Sequence, residues 1–165
     1  MNIRNMIRRA IALEELMTQI MIAFIVVLVF IAAFTRYIGY PINWSVDIAQ
    51  AIFVWVIYVG ANQAWRNSRH IGIDILFKQF NRKIQFYLQL FLYIIITIFL
   101  VSLIISGIHI TIINVGRILG DIPISYSFVT IAVPAGSFLM LLTTVEKSCL
   151  LFRMKAEADT KQKPD

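Results

Sequence analysis

Residues Asn43–Lys83 read NWSVDIAQAIFVWVIYVGANQAWRNSRHIGIDILFKQFNRK. Asp47 opens an 18-residue run without charge, Ile48 to Trp65, and a basic block closes it: Arg66, Arg69, Lys78, Arg82 and Lys83, with His70 and Asp74 among them. An apolar segment of this length is long enough to cross a bilayer. Its acid at one end and its cations at the other give it a direction.

The rest of the chain agrees with that reading. Its 165 residues are 59% hydrophobic, against roughly 45–50% in a soluble domain, and the mean hydropathy is +0.79. The 15 Lys and Arg and 9 Asp and Glu fall outside four long uncharged runs. The expected fold class is therefore all-α integral membrane, with four transmembrane helices and short amphipathic interfacial or cytoplasmic helices. The expected spans are about 16–35, 46–65, 88–112 and 126–145, in a single membrane domain over residues 1–152. A disordered cytoplasmic tail is expected over 153–165, where charge and polarity dominate.

Local signals refine each element. Arg4, Arg8 and Arg9 precede the first run, but its 20 residues, Leu16 to Thr35, exceed the roughly 7–15 of a signal-peptide core. It reads as a retained span, with a short surface helix ahead of it. Gly39 and Pro41 mark a tight reversal. Ser45 reads as the N-cap of span 2, with Asp47 in its first turn. The segment Ile75–Gln89 is amphipathic and either lies in the interface or extends span 3, whose uncharged run Ile84–Gly116 is too long to cross upright. Pro134 should kink span 4.

Counting Lys and Arg on alternating sides gives 13 against 2, which predicts both termini and the basic middle loop in the cytoplasm. The net charge of +6 is thereby explained by span ends and does not point to nucleic acid. The single cysteine, Cys149, excludes paired-thiol redox chemistry. No phosphate loop, metal-ligand pair or serine elbow is present, and no enzyme or cofactor is expected. No Asp, Glu, Lys or Arg falls at mid-membrane depth, which counts against a small multidrug antiporter or a proton channel. His109 reads as an interfacial histidine, because no acid on its helix accompanies it as a proton relay would need. Thr143 and Thr144 read as ordinary helix-end residues.

Span 2 carries more polarity than lipid contact favours. Asp47, Ala51, Trp55, Tyr58, Asn62 and Arg66 step by three or four along one face. That face can pack within the chain's own bundle or against a different membrane protein. Gly60 with Ala64, and Ala132 with Gly136, are small-residue pairs that let helices approach closely.

These residues resemble a known family. The patterns P-I-N-W-S-x-D at Pro41–Asp47, FVWVIYVGANQAWR at Phe53–Arg66, RHIGIDIL at Arg69–Leu76 and ISYSFVTIAVPAGSFLML at Ile124–Leu141 resemble the small, DctQ-like (Q) subunit of tripartite ATP-independent periplasmic (TRAP) transporters. The resemblance covers about residues 16–150 and departs at Asp47, where glutamate is usual. It implies a bacterial inner-membrane subunit that scaffolds a larger M subunit, the carrier of the substrate and sodium sites. It also implies a periplasmic substrate-binding protein and an organic-acid cargo of the sialic acid or C4-dicarboxylate class, with the sialic-acid branch slightly closer. On this reading Trp55, Tyr58, Gly60, Asn62, Ala64, Ala132, Pro134 and Gly136 are expected to face the M subunit. Arg66, Arg69, His70, Lys78, Arg82 and Lys83 are expected at inner-leaflet phospholipids, and Arg36, Asn43, Asp47, Arg117 and Asp121 at the periplasmic docking surface. The rival reading is a self-contained homodimeric small transporter or channel.

Overall fold

A computed structural model describes the backbone of residues 3–67 and 82–161, and the side chains of residues 9, 11–67 and 84–155. The elements are α1 (Ile3–Tyr37), α2 (Asn43–Arg66), α3 (Arg82–Ile113), a 3-10 turn at Asn114–Gly116, a hairpin of β1 (Ile118–Leu119) and β2 (Ile122–Ser125), α4 (Ser127–Thr130) and α5 (Ala132–Lys161). Among the described residues, four segments are long and apolar enough to cross a membrane: Ile11–Tyr37, Asn43–Arg66, Ile84–Gly116 and Ser127–Lys155. The chain is an all-α integral membrane protein with one small hairpin. Helices are what such sequences must form, because lipid offers no partner for a free backbone N–H or C=O.

The helices stand in an open row, ordered α1, α2, α5, α3. Among the described residues, each packs mainly on its neighbour in that row, and α1 has no extensive contact with α3. A single stripe of α1, including Thr18, Leu28 and Ala32, is buried, and its other sides are exposed. Helix α5 has neighbours on two sides and holds several fully buried residues, among them Ala132, Ser137 and Thr144. Small side chains dominate these contacts because lipid removes the hydrophobic drive between helices and leaves close van der Waals approach to hold them.

The sequence and the structure differ at several boundaries. The N-terminal segment is not a separate surface helix: α1 runs unbroken for 35 residues, about 52 Å, because no Gly or Pro interrupts it. It ends in a Schellman turn, with Gly39 at φ 90° and the Tyr40 N–H donating to the Thr35 carbonyl at 3.0 Å. Helix α2 starts two residues earlier than its expected cap. Ile42 occupies the cap position without a side-chain bond, and the buried Ser45 hydroxyl donates to the Ile42 carbonyl at 3.1 Å. Asp47 consequently lies past the first turn and does not serve the helix dipole. Of the amphipathic segment, residues 82–89 form the opening turns of α3, and the part before Arg82 lies outside the described residues.

Span 4 is divided at Ile131 into α4 and α5. Pro134 lacks the N–H that would bond the Thr130 carbonyl, so the break falls one turn before the proline. Gly107 of α3 lies against this break: a Cβ there would stand 2.8 Å from Pro134 Cδ. The helix α5 then extends to Lys161, past Arg153, where a disordered tail is expected from composition. Ala, Glu and Lys in KAEADTK are good helix formers, and no Gly or Pro appears before Pro164.

Candidate functional site

Polar side chains gather at both ends of the row, where they tie helices to one another. At the end carrying the N-terminal part of α1, Glu14 is the anchor. Its carboxylate accepts from Arg66 Nη1 at 2.7 Å and from Asn62 Nδ2 at 3.0 Å. Both side chains of the ion pair are about one-fifth exposed, at 19% and 20%. Asn62 is itself buried and accepts from Thr143 Oγ1 at 2.9 Å. One asparagine therefore joins α1, α2 and α5.

Two further links run beside it. Gln63 Nε2 donates to Thr18 Oγ1 at 2.9 Å, and that hydroxyl donates to the Glu14 carbonyl at 2.8 Å. Trp65 Nε1 donates to Thr144 Oγ1 at 3.0 Å, and the Trp65 ring meets Tyr93 of α3 edge-on, with centroids 6.2 Å apart. Lys147 lies over the Trp65 ring at 4.6 Å and donates to the Trp65 carbonyl. The spacing places these groups well. Asn62, Trp65 and Arg66 fall on adjoining positions of the last turns of α2, while Thr143, Thr144 and Lys147 share one side of α5.

At the opposite end Asp47 has a different partner. Its carboxylate lies against Gly120 in the hairpin turn and accepts the Asp121 N–H at 3.3 Å. Gly120 has φ 52°, a left-handed conformation, and a Cβ there would stand 2.0 Å from Asp47 Oδ2. Leu119 pairs with Ile122 across the two-residue turn, and Arg117 lies 5.1 Å over the Tyr126 ring at the base. The hairpin is thus seated on α2 by one carboxylate. Gly120→Ala is expected to unseat it, since both the backbone angle and the space exclude a side chain. Amide hydrogen exchange over residues 118–126 should accelerate, while the N–H groups in the middle of α5 keep their protection. Unchanged exchange in the hairpin would show that Asp47 does not hold it.

Between these ends the helices meet through contacts without charge. Gly136 lies against Tyr58, where a Cβ would come within 2.4 Å of Tyr58 Cβ. Trp55 Nε1 donates to the Phe128 carbonyl at 3.0 Å. His109 is on an exposed face of α3. Among the described residues, no group of three or more His, Cys, Asp or Glu could hold a metal ion.

The residues singled out from sequence now divide. Trp55, Tyr58, Asn62, Ala132, Pro134 and Gly136 pack inside the chain's own row. Gly60 has open space where a Cβ would project, and Ala64 is exposed. Arg66, expected at lipid, is paired with Glu14. Arg69, His70 and Lys78 lie outside the described residues, and Arg82 and Lys83 start α3. Arg36, Asn43, Arg117 and Asp121 are exposed, but the Asp47 carboxylate is engaged by the hairpin.

Sequence reasoning passed over Glu14, Thr18, Gln63, Thr143 and Thr144 as partners. A signal was available: five groups able to form hydrogen bonds at the same ends of three apolar runs need partners from one another.

Comparison with known proteins agrees with this architecture. Residues 25–154 match the family described as tripartite ATP-independent periplasmic transporters, DctQ component. A 43-residue stretch is 35% identical to the C4-dicarboxylate TRAP transporter small permease protein DctQ of Pseudomonas aeruginosa, covering 26% of this chain and 20% of that relative. The chain thus spans about a fifth of the length of the curated relative it matches. With four membrane-crossing segments and a family match over most of its length, the chain belongs to the DctQ component family, the small membrane subunits of TRAP transporters.

Proposed function

We propose that this subunit is a non-catalytic scaffold for the large M subunit of a sodium-driven TRAP transporter, with both termini in the cytoplasm. The observation that carries the reading is the distribution of its ionisable groups. Glu14, Arg66 and Asp47 are engaged in ties between elements, and no Asp, Glu, Lys or Arg stands in the middle of a span. A transport pathway needs such groups, or unwound backbone, near the membrane midplane. The cargo is an organic acid that a periplasmic binding protein delivers. The name of the Pseudomonas relative favours the C4-dicarboxylate class over sialic acid.

The face offered to the M subunit is narrower than sequence suggests. Phe53, Ile57, Gly60 and Ala64 form one stripe of α2 that neither α1 nor α5 covers. Gly60 and Ala64 leave room there for a helix to approach closely. Co-expression with the large membrane subunit and extraction in mild detergent tests this. The large subunit should co-purify with the wild-type chain, and Gly60→Leu should weaken retention while the chain itself stays folded. Absence of a stable complex would overturn the scaffold reading. Full retention by Gly60→Leu and Ala64→Leu would move the contact elsewhere.

A further inference from the structure

A groove of about 170 Å³ opens between α3 and α5, lined by Leu90, Tyr93, Ile94, Thr97, Ile98 and Ser148. Its long axis follows α3 from Leu90 to Ile98, about 12 Å. Four of the six lining residues are large aliphatic or aromatic side chains on α3, spaced along one side. Polar groups come from Thr97, whose hydroxyl donates to the Tyr93 carbonyl at 2.7 Å, and from Ser148, whose hydroxyl donates to the Thr144 carbonyl at 2.9 Å. Both hydroxyl protons are used locally, so the groove presents an apolar surface.

The two helices change character just beyond the groove's outer end. Lys155 is seven residues past Ser148 on the same side of α5, two turns or about 10 Å further out. Its ammonium is held over the Phe86 ring at 4.1 Å and lies 5.6 Å from the Tyr87 ring. Phe86 in turn meets Phe152 edge-on at 5.7 Å, so the floor beneath the cation is aromatic and bridges α3 to α5. Helix register puts Arg82 and Lys83 one turn before Phe86 and Tyr87. Helix α3 contains no Asp or Glu. On α5, Glu146 and Glu157 stand about 200° round the helix from Ser148 and Lys155 respectively. Asp159 follows Lys155 by one turn in the sequence of α5.

An apolar slot that runs into the bilayer from an aromatic-floored cationic mouth has the layout of a phospholipid. We infer that this groove binds one acyl chain of an anionic phospholipid, with its phosphate at Lys155. The aromatic rings hold the ammonium at the level where a headgroup lies, and a lysine near the surface favours anionic lipid. A free phosphate would gain nothing from the slot, and a zwitterionic lipid gains less from the cations. The inference concerns the chain itself and stands apart from the scaffold reading.

Native mass spectrometry of the delipidated full chain tests it, with phosphatidylglycerol and phosphatidylethanolamine of identical acyl chains as probes. Wild type should retain phosphatidylglycerol more tightly. Lys155→Gln should lower that affinity about fivefold and leave phosphatidylethanolamine unchanged. Ile94→Trp, at a half-exposed position of the groove wall, should lower retention of both lipids. Arg153→Gln, about 140° round α5 from the groove, should change neither. Circular dichroism confirms the fold of each variant. Equal retention of the two lipids by wild type would overturn the inference. So would unchanged binding in Lys155→Gln or Ile94→Trp, or an equal loss in Arg153→Gln, which would indicate diffuse surface charge.

Discussion

Gly136→Ala is expected to destabilise the isolated chain by about 1–3 kcal/mol, and Gly136→Leu by more. The reason is geometric. A Cβ at residue 136 would come within 2.4 Å of Tyr58 Cβ and 3.0 Å of two ring carbons. Both Cβ atoms are fixed to helix backbones, so no rotamer relieves the overlap and α2 must move away from α5. These helices share more than this contact. Asn62–Thr143 and Trp65–Thr144 cross the same interface, and Trp55–Phe128 ties α2 to the adjoining α4, so a displacement there stretches several hydrogen bonds together. Gly60→Leu is the matched control. It lies on the same helix, but a Cβ there meets nothing within 4 Å, and the isolated chain should tolerate it within about 0.5 kcal/mol. Thermal unfolding in detergent, followed by intrinsic tryptophan fluorescence, separates the two. Equal shifts for Gly136→Ala and Gly60→Leu would contradict the α2–α5 packing.

Glu14→Ala should be the most damaging charge substitution among the described residues. It removes the acceptor for both Arg66 and Asn62. Loss of one partner from a fully buried pair costs about 3–5 kcal/mol. This pair is one-fifth exposed and close to the end of its helices, so the arginine can partly reach water, and about 2 kcal/mol is expected. Asn62→Ala should cost less, because it removes one hydrogen bond to the Glu14 carboxylate and one neutral bond from Thr143 while the Glu14–Arg66 pair stays intact. The double variant should lose less than the sum of the single losses, since Glu14 and Asn62 belong to one network. The exchange Glu14→Arg with Arg66→Glu should recover part of the stability. Additive losses, with no recovery in the exchanged pair, would show that the contacts do not act together.

The spans were legible because hydropathy reports burial in lipid and depends little on partners. The Gly39 reversal and the interruption by Pro134 were legible for a related reason: each follows from the backbone chemistry of one residue. What sequence could not rank was pairing among helices. Gly60–Ala64 and Ala132–Gly136 look alike as small-residue pairs, yet Gly136 meets Tyr58 while Gly60 meets open space. Periodicity gives a helix a face but does not say which neighbour it turns to. The open row arises from the same cause, since four apolar helices are compatible with either a closed bundle or a row. The hairpin was not anticipated: the stretch read only as a short link, although Gly120-Asp121 set between Ile-Leu and Ile-Pro-Ile is a turn signal. Its attachment to Asp47 was not legible, because the two are 73 residues apart from turn to carboxylate and no local rule links them. Arg66 shows the limit of charge counting: a cation at a span end sets topology whether it meets lipid or, as here, Glu14.

Uptake in proteoliposomes under an inwardly directed sodium gradient tests the central claim most directly. The chain should be reconstituted alone, with the large membrane subunit, and with both that subunit and the periplasmic binding protein, using a labelled C4-dicarboxylate and labelled sialic acid as cargo. The chain alone should show no sodium-dependent uptake, and the complete system should take up one of the two acids. On the proposed scaffold role no ionisable residue of this chain enters the transport step, so His109→Ala should leave that rate within about twofold. Sodium-dependent uptake by the chain alone, abolished by His109→Ala, would contradict the scaffold account and establish a self-contained transporter.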